Sequence, residues 1–331
     1  MTIAFFSCHP YEQPFLEAAN ANHRHQLTFL PQLLTPETVH LAASHDAICV
    51  FVNDQLTGPT LQRLASEGIR LVALRCTGYN QVDIPTARQL GIRILRVPTY
   101  SPHSVAEHAV ALLMALNRKT HLAYQRTRKN NFTLDGLMGF DLYGKRVGVI
   151  GTGKIGMMFS RIMLGFGCHV LAYDKVRSAI LQQLGVEYLP MEDVLASSDI
   201  ISLHCPLTPE THHLINEASL AQMKPGAYLI NTSRGGLMDA RAVVEALKSG
   251  QLGALGMDVY ELEDDFFFAD WSGQELPDAE LNTLTHLPNV LVTSHQFFFT
   301  AEAMEQIAHT TLNNLTYLEQ QRLPDDCLVV G

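Results

Sequence analysis

Along the first hundred residues, short apolar runs alternate with stretches whose apolar positions recur every three or four residues. The runs Ile3–Ser7, Gln26–Leu30, Ala47–Val52, Arg70–Arg75 and Arg93–Leu95 predict strands. Between them, Glu12–Ala21, Glu37–Ala43, Pro59–Glu67 and Ile84–Leu90 predict helices. Strands separated by helices build a parallel sheet covered on both faces. A second series starts at Lys145, with strands predicted at Val147–Ile150, Val170–Tyr173, Ile200–Leu203, Tyr228–Asn231, Ala254–Val259 and Val290–Thr293. Two longer amphipathic stretches bracket it. In the first, Ser101 is a candidate N-cap and Pro102 a first helical residue. Val105, Ala109, Leu112, Leu113 and Leu116 follow at helical spacing, in a pattern that runs to about Arg126. In the second, Thr300–Gln320, Thr300 can cap, and Met304, Ile307, Ala308, Thr311, Leu312 and Leu315 form one apolar stripe. If the second series is inserted in the first, these helices carry the chain out and back, and Leu328-Val-Val rejoins the first domain. The expected fold class is α/β, with two doubly wound parallel-sheet domains: 1–99 with 299–331, and 100–298. Glu261–Trp271, acids followed by three phenylalanines, suits neither helix nor strand and is expected to be a loop folded over an apolar surface.

Composition narrows the setting. A chain of 331 residues, 47% hydrophobic, has the length of about two domains and material for substantial cores. The net charge of −10 argues against nucleic acid or an anionic membrane as a partner. No apolar run reaches the roughly 18 residues of a membrane span, and Met1–His9 enters a strand directly, without a basic leader. Six cysteines without a C-x-x-C pair are expected to be free thiols in a reducing cytoplasm.

The chemistry begins at Lys145-Arg-Val-Gly-Val-Ile-Gly-Thr-Gly-Lys-Ile-Gly156. Gly151, Gly153 and Gly156 have the G-x-G-x-x-G spacing: one glycine for a tight turn, one for backbone approach to a pyrophosphate, one for close helix–strand packing. The helix beyond offers its N-terminal N–H groups to the same phosphates. Asp174, at the end of the next strand, lies roughly the 20 positions on at which a carboxylate binds a ribose. Strand, glycines, helix, strand and acid in this order predict a dinucleotide site.

Later strands each end in polar groups: His204-Cys205-Pro206, then Asn231-Thr-Ser-Arg234-Gly235, then Asp258 through Glu263, then Ser294-His295-Gln296. Hydride transfer to a 2-keto acid fits this set. It needs a planar cation for the substrate carboxylate, a general acid for the carbonyl oxygen, and a carboxylate to orient that acid. Arg234, His295 and one of Glu261 or Glu263 are of these types. The other histidines lack metal-ligand spacing: His103 and His108 do not share a helix face, and His212-His213 read as loop residues, so no metal is expected.

Gly151-Thr-Gly-Lys-Ile-Gly156, His204-Cys-Pro-Leu-Thr-Pro209, Asn231-Thr-Ser-Arg-Gly235, Gly256-Met-Asp-Val-Tyr-Glu261 and Ser294-His295-Gln resemble, in order, the motifs of the D-isomer-specific 2-hydroxyacid dehydrogenase family. The resemblance runs from Ile3 to about Leu328. It implies a Rossmann NAD-binding domain inserted in a flavodoxin-like catalytic domain, NAD as cofactor, pyruvate and D-lactate as the substrate pair, and a homodimer or homotetramer. It assigns the catalytic roles to Arg234, Glu263 (rather than Glu261) and His295. Backbone amides of Gly78 and Tyr79 and the hydroxyl of Tyr100 are implied for the substrate carboxylate, Phe51 and Phe298 for its methyl group. On the cofactor side it implies Lys154 and Ile155 at the pyrophosphate, Asp174 at the adenine ribose, His204, Cys205 and Pro206 beside the adenosine, and Thr232 and Asp258 near the nicotinamide.

The chain departs from the family at Phe297, where a small residue is usual, at Ser294 in place of glycine, and at Lys175 and Arg177 after the ribose acid. Phe297 keeps a bulkier 2-keto acid or hydroxypyruvate open as the substrate. A third reading, an NADH-binding sensor without catalysis, does not need arginine, glutamate and histidine together.

Overall fold

The computed structural model of this chain describes residues 1–322 and 325–330. It divides into two compact units, Met1–Ser101 with Phe299–Gly331, and Pro102–Phe298.

The strands of the first unit are β1 (Thr2–Phe5), β2 (Gln26–Phe29), β3 (Ala47–Val50), β4 (Leu71–Leu74) and β5 (Arg93–Arg96). Those of the second are β6 (Arg146–Ile150), β7 (His169–Tyr173), β8 (Glu187–Tyr188), β9 (Ile200–Leu203), β10 (Ala227–Asn231), β11 (Leu252–Met257) and β12 (Val290–Val292). β13 (Leu328–Val330) then completes the first sheet. The sheet orders are β13-β5-β4-β3-β1-β2 and β12-β11-β10-β9-β6-β7-β8. In each sheet the order reverses beside the first strand, between β1 and β3 and between β6 and β9. Such a reversal opens a crevice at the carboxyl ends of the strands, where ligands bind in doubly wound sheets. The second order is that of a Rossmann domain with one extra strand; the first is the flavodoxin-like 2-1-3-4-5 order with β13 added.

The near-continuous apolar runs have a direct cause. Both faces of each sheet are covered, so neighbouring strand residues enter different cores. Ile48 packs on one side of the first sheet and Cys49 on the other. Leu229 and Ile230 divide the same way in the second. Among the described residues no disulfide is present, all six cysteines are buried thiols, and no helix is long and apolar enough to cross a membrane.

The helix Ala301–Glu319 starts where predicted: the Thr300 side chain accepts from Ala303 N, and the whole expected stripe is buried. The loop Glu261–Trp271 also lies over an apolar surface, with Phe266 buried in the core and Trp271 packed beside it.

Three expectations are corrected. The helix from Pro102 does not reach Arg126. It stops at Arg118, Lys119 takes φ +49°, and a separate helix, Thr120–Thr127, buries nothing. The apolar stripe ends at Leu116, and Asn117 turns inward to hold both backbone groups of Phe140, at 2.8 and 2.9 Å. No buried face remains to keep the next turns in line. The predicted helix Glu37–Ala43 is only the 3₁₀ turn Val39–Ala42. Finally, the first sheet is not wholly parallel, because β13 runs antiparallel to β5. The returning chain joins at the edge, where an antiparallel strand is readily accommodated.

Candidate active site

The glycine turn of the second unit separates its three glycines by cause. Gly151 has φ +94°, and a Cβ there would lie 2.5 Å from Cys205 N. A Cβ on Gly156 would lie 2.0 Å from the Gly151 carbonyl oxygen, so this glycine lets the helix Lys154–Gly165 seat against the strand end. A Cβ on Gly153 would meet nothing within 4 Å. Packing within the protein therefore does not require that glycine, and the exposed Gly153–Lys154 backbone has room for a ligand to approach. Lys154 and Ile155 begin the helix, where N–H groups lack intrahelical partners.

Asp174 braces this turn. Its carboxylate accepts from Thr152 N at 2.6 Å, from the Thr152 hydroxyl at 3.1 Å and from Val176 N at 3.0 Å. Burial pushes its pKa up, but these hydrogen bonds outweigh burial and hold it below the ordinary aspartate value. Tyr188 adds a bond to the Thr152 hydroxyl at 2.9 Å. Lys175 and Arg177 are exposed.

Of the residues expected beside the adenosine, Pro206 is exposed and Cys205 is buried, its thiol pushed up to about 11 by burial. The His204 ring is engaged within the unit: Nε2 is 2.9 Å from the Ser202 hydroxyl and the ring packs on Phe159. Burial lowers its pKa. What this position presents to the glycine turn is therefore backbone. Thr232 carries a buried hydroxyl with no hydrogen-bond partner among the described residues. An orphaned buried hydroxyl is costly, and a bound group beside it would relieve that cost.

Arg234 stands in the turn after β10. Asn231, fully buried, shapes this turn by donating to the Arg234 carbonyl at 2.9 Å and accepting from Ser233 N at 3.0 Å. The half-buried guanidinium donates from Nη1 to the Ser233 carbonyl at 2.7 Å. Among the described residues this is the one protein acceptor it uses, of the five donors a guanidinium carries.

Glu263 and His295 meet although 32 residues separate them. The His295 Nδ1 donates to Glu263 Oε1 at 2.7 Å, and Glu263 Oε2 accepts from Tyr260 N at 2.9 Å. The carboxylate thus fixes the ring and assigns its other nitrogen, Nε2, to outside chemistry. Glu261 turns elsewhere, to His212 and His213 at 3.0 Å each.

His295 takes φ +52° and is 7% exposed. Asp258 sustains this backbone. Its carbonyl accepts from His295 N at 2.7 Å, and its carboxylate accepts from Gln296 N at 3.0 Å, from Phe297 N at 2.8 Å and from the Thr293 hydroxyl. His108 Nε2 lies 3.3 Å from the same carboxylate. Phe297 is buried with its ring 4.7 Å from that of His295, and Phe298 meets it edge-on.

In the first unit the implied substrate residues follow the carboxyl ends of strands. Phe51 is buried after β3, beneath the Arg75 guanidinium at 4.9 Å. Gly78 and Tyr79 follow β4, with the Tyr79 ring 5.2 Å from the Arg96 guanidinium. Tyr100 follows β5 and is half-buried. Arg75 is itself fully buried and held by Glu12 at 2.8 Å and by the Ser7 carbonyl at 2.7 Å. Asp54 accepts from Phe51 N, Leu34 N and the Ser7 hydroxyl. This frame, and the supporting roles of Asn231, Thr293 and His108, escaped the sequence reading. A polar residue at the end of an apolar strand is its one local signal, and many surface residues share that signal.

Comparison with known proteins gives the family. Residues 110–296 match the model of the D-isomer specific 2-hydroxyacid dehydrogenase, NAD binding domain, family. The D-lactate dehydrogenase of Escherichia coli strain K12 is 49% identical over 320 residues, 97% of each chain. The apo-structure of the Escherichia coli D-lactate dehydrogenase superimposes with a TM-score of 0.91 at 46% identity, covering 100% of both chains. A D-lactate dehydrogenase with NAD+ from Lactobacillus jensenii gives 0.84 at 32% identity, again over 100% of both.

Proposed function

The chain belongs to the D-isomer-specific 2-hydroxyacid dehydrogenases, NAD-dependent oxidoreductases acting on 2-keto and 2-hydroxy acids, and from that premise we propose that it reduces pyruvate to D-lactate. The observation that carries the catalytic part is the hydrogen bond from His295 Nδ1 to Glu263 Oε1, 2.7 Å long. The bound NADH supplies the hydride. Every other task falls to the chain's own side chains. His295 gives its Nε2 proton to the carbonyl oxygen. Glu263 keeps the proton of the other nitrogen in place and favours the imidazolium before transfer. Arg234 grips the substrate carboxylate with the donors that Ser233 does not use, a planar two-point grip that lysine lacks. The family resemblance assigns Gly78, Tyr79 and Tyr100 to binding the substrate carboxylate, and Phe51 and Phe298 to the methyl group.

On the cofactor side, Gly151, Gly153 and Gly156 shape the turn, and Lys154 and Ile155 offer N–H groups to the pyrophosphate. Asp174 binds the ribose hydroxyls and repels a 2′-phosphate, so NADH is used over NADPH despite the exposed Lys175 and Arg177. Thr232 and Asp258 stand toward the nicotinamide, Thr232 with a hydroxyl that has no partner among the described residues, and the His204–Pro206 segment flanks the adenosine.

A bulkier 2-keto acid or hydroxypyruvate is the second reading, kept by Phe297. Phe51 and Phe298, both buried, favour a small apolar substrate group. A panel of 2-keto acids with NADH and NADPH in parallel, followed by absorbance, tests both readings. Pyruvate with NADH should have the highest kcat/KM. A higher value for a branched, aromatic or hydroxylated keto acid would overturn the pyruvate assignment, and no NADH oxidation with any keto acid would favour a sensor.

A further inference from the structure

Apart from the His295–Glu263 pair, three side chains of the second unit converge on one point. His212 and His213 lie in the turn between β9 and β10, and Glu261 lies in the loop after β11. The two Nε2 atoms are each 3.0 Å from a different oxygen of the one carboxylate. The imidazoles stack with centroids 3.9 Å apart and planes 22° from parallel. Ligand atoms of all three residues lie within 4.8 Å of one another.

The backbone is arranged to bring them together. Consecutive side chains of an extended segment point to opposite faces. These two share a face with His213 at φ +49°, a conformation uncommon for residues other than glycine. That backbone is fastened on both sides: His213 N donates to the Gly236 carbonyl at 2.8 Å, and the His213 carbonyl accepts from Asn216 Nδ2 at 2.9 Å. Glu261 is pinned as well, because a Cβ on Gly235 would lie 2.2 Å from Glu261 N. Only glycine allows that approach.

We infer that His212, His213 and Glu261 form a binding site for a divalent transition-metal ion of the zinc class. Two imidazole nitrogens and one carboxylate oxygen make a donor set that zinc takes with a water in its fourth position. The nitrogen donors disfavour calcium and magnesium, which prefer oxygen. Ligand bonds of ~2.0–2.1 Å in a tetrahedron place ligand atoms about 3.3 Å apart, inside the spread found here, so side-chain rotation alone closes the site. On binding, each Nε2 gives its lone pair to the ion and its proton resides on Nδ1. The ion ties the turn after β9 to the loop after β11, two residues before Glu263. This site is independent of the proposed substrate.

The test uses the full-length protein, stripped with chelator and titrated with zinc by calorimetry, with cobalt(II) absorbance as a second readout. Wild type should bind one zinc at this site and show the visible absorption of low-coordinate cobalt. His212→Gln and Glu261→Gln should each weaken zinc binding by at least the ~10–100-fold that even outer-shell changes cost. Both side chains are partly exposed, and circular dichroism verifies that the variants fold. Zinc should raise the melting temperature of wild type but not of His212→Gln. The inference fails if wild type binds no zinc, or if either variant binds it with wild-type affinity and cobalt spectrum.

Discussion

His295 is a residue whose usefulness depends on two neighbours. Glu263 holds its ring, and Asp258 holds its left-handed backbone through the carbonyl and a fully buried carboxylate. If His295 is the general acid, His295→Ala should lower turnover by ~10²–10⁴, and near-wild-type turnover would sink that role. Glu263→Gln keeps the shape and removes the charge; a smaller fall in kcat with little change in KM is expected. Asp258→Ala is expected to act differently. It strands the N–H groups of Gln296 and Phe297 and the Thr293 hydroxyl, each costing about 1–3 kcal/mol, so both melting temperature and turnover should fall. A variant with normal stability would show that these groups find other partners. Arg234→Lys should raise the KM for the keto acid and lower kcat together, and an unchanged KM would place the guanidinium's role elsewhere.

At the scale of the element, the glycine turn divides into parts that serve the fold and a part that serves a ligand. Gly156→Ala drives a methyl against the Gly151 carbonyl and should cost the protein without cofactor about 1–3 kcal/mol, the range for overpacking. Gly153→Ala meets open space, so it should leave that melting temperature alone and weaken NADH binding. Equal effects of the two on stability would contradict the division. Asp174 ties this turn to β7 with a depressed pKa. Such a group contributes stability above its unfolded value of ~3.9, and that contribution is lost as pH falls through the lower folded value. The melting-temperature gap between wild type and Asp174→Asn should therefore be widest above about pH 4 and close on acidification. A gap independent of pH would mean that its ionisation is not what holds the turn. Element boundaries were legible where an apolar stripe and a cap coincided, as at Thr300. They were not legible at Lys119, where the pattern simply lost its buried face.

For the whole molecule, the family resemblance carries the proposal of a homo-oligomer. The stretch that includes Phe132, Leu134, Met138 and Tyr143 is the candidate surface, since these side chains are 73%, 80%, 87% and 81% exposed. Large apolar side chains exposed together commonly mark a contact with another chain. Light scattering should report a dimer or tetramer, and a paired Leu134→Ser and Met138→Ser change should weaken it. A wild-type monomer at micromolar concentration would remove the proposal. Binding also acts on the molecule as a whole: NADH at ~100 times its Kd should stabilise the protein by ~2.7 kcal/mol, read as a rise in melting temperature.

The α/β class, the glycine turn with its candidate ribose acid, and the residue types suited to hydride transfer were all legible in the order of the amino acids. They were legible because buried parallel strands need unbroken apolar runs, and a pyrophosphate turn needs glycines at fixed spacing. The local pattern left Glu261 and Glu263 as equal candidates, and only the family resemblance chose between them. Tertiary structure gives the physical distinction. Glu263 reaches His295, while Glu261, two residues earlier, reaches two histidines that local spacing had set aside. Asp258, Asn231 and the Glu12–Arg75 frame likewise gained their supporting roles only when the chain folded. Each is a buried polar group whose partners are distant in sequence or belong to the backbone, and neither kind of partner leaves a period in the sequence.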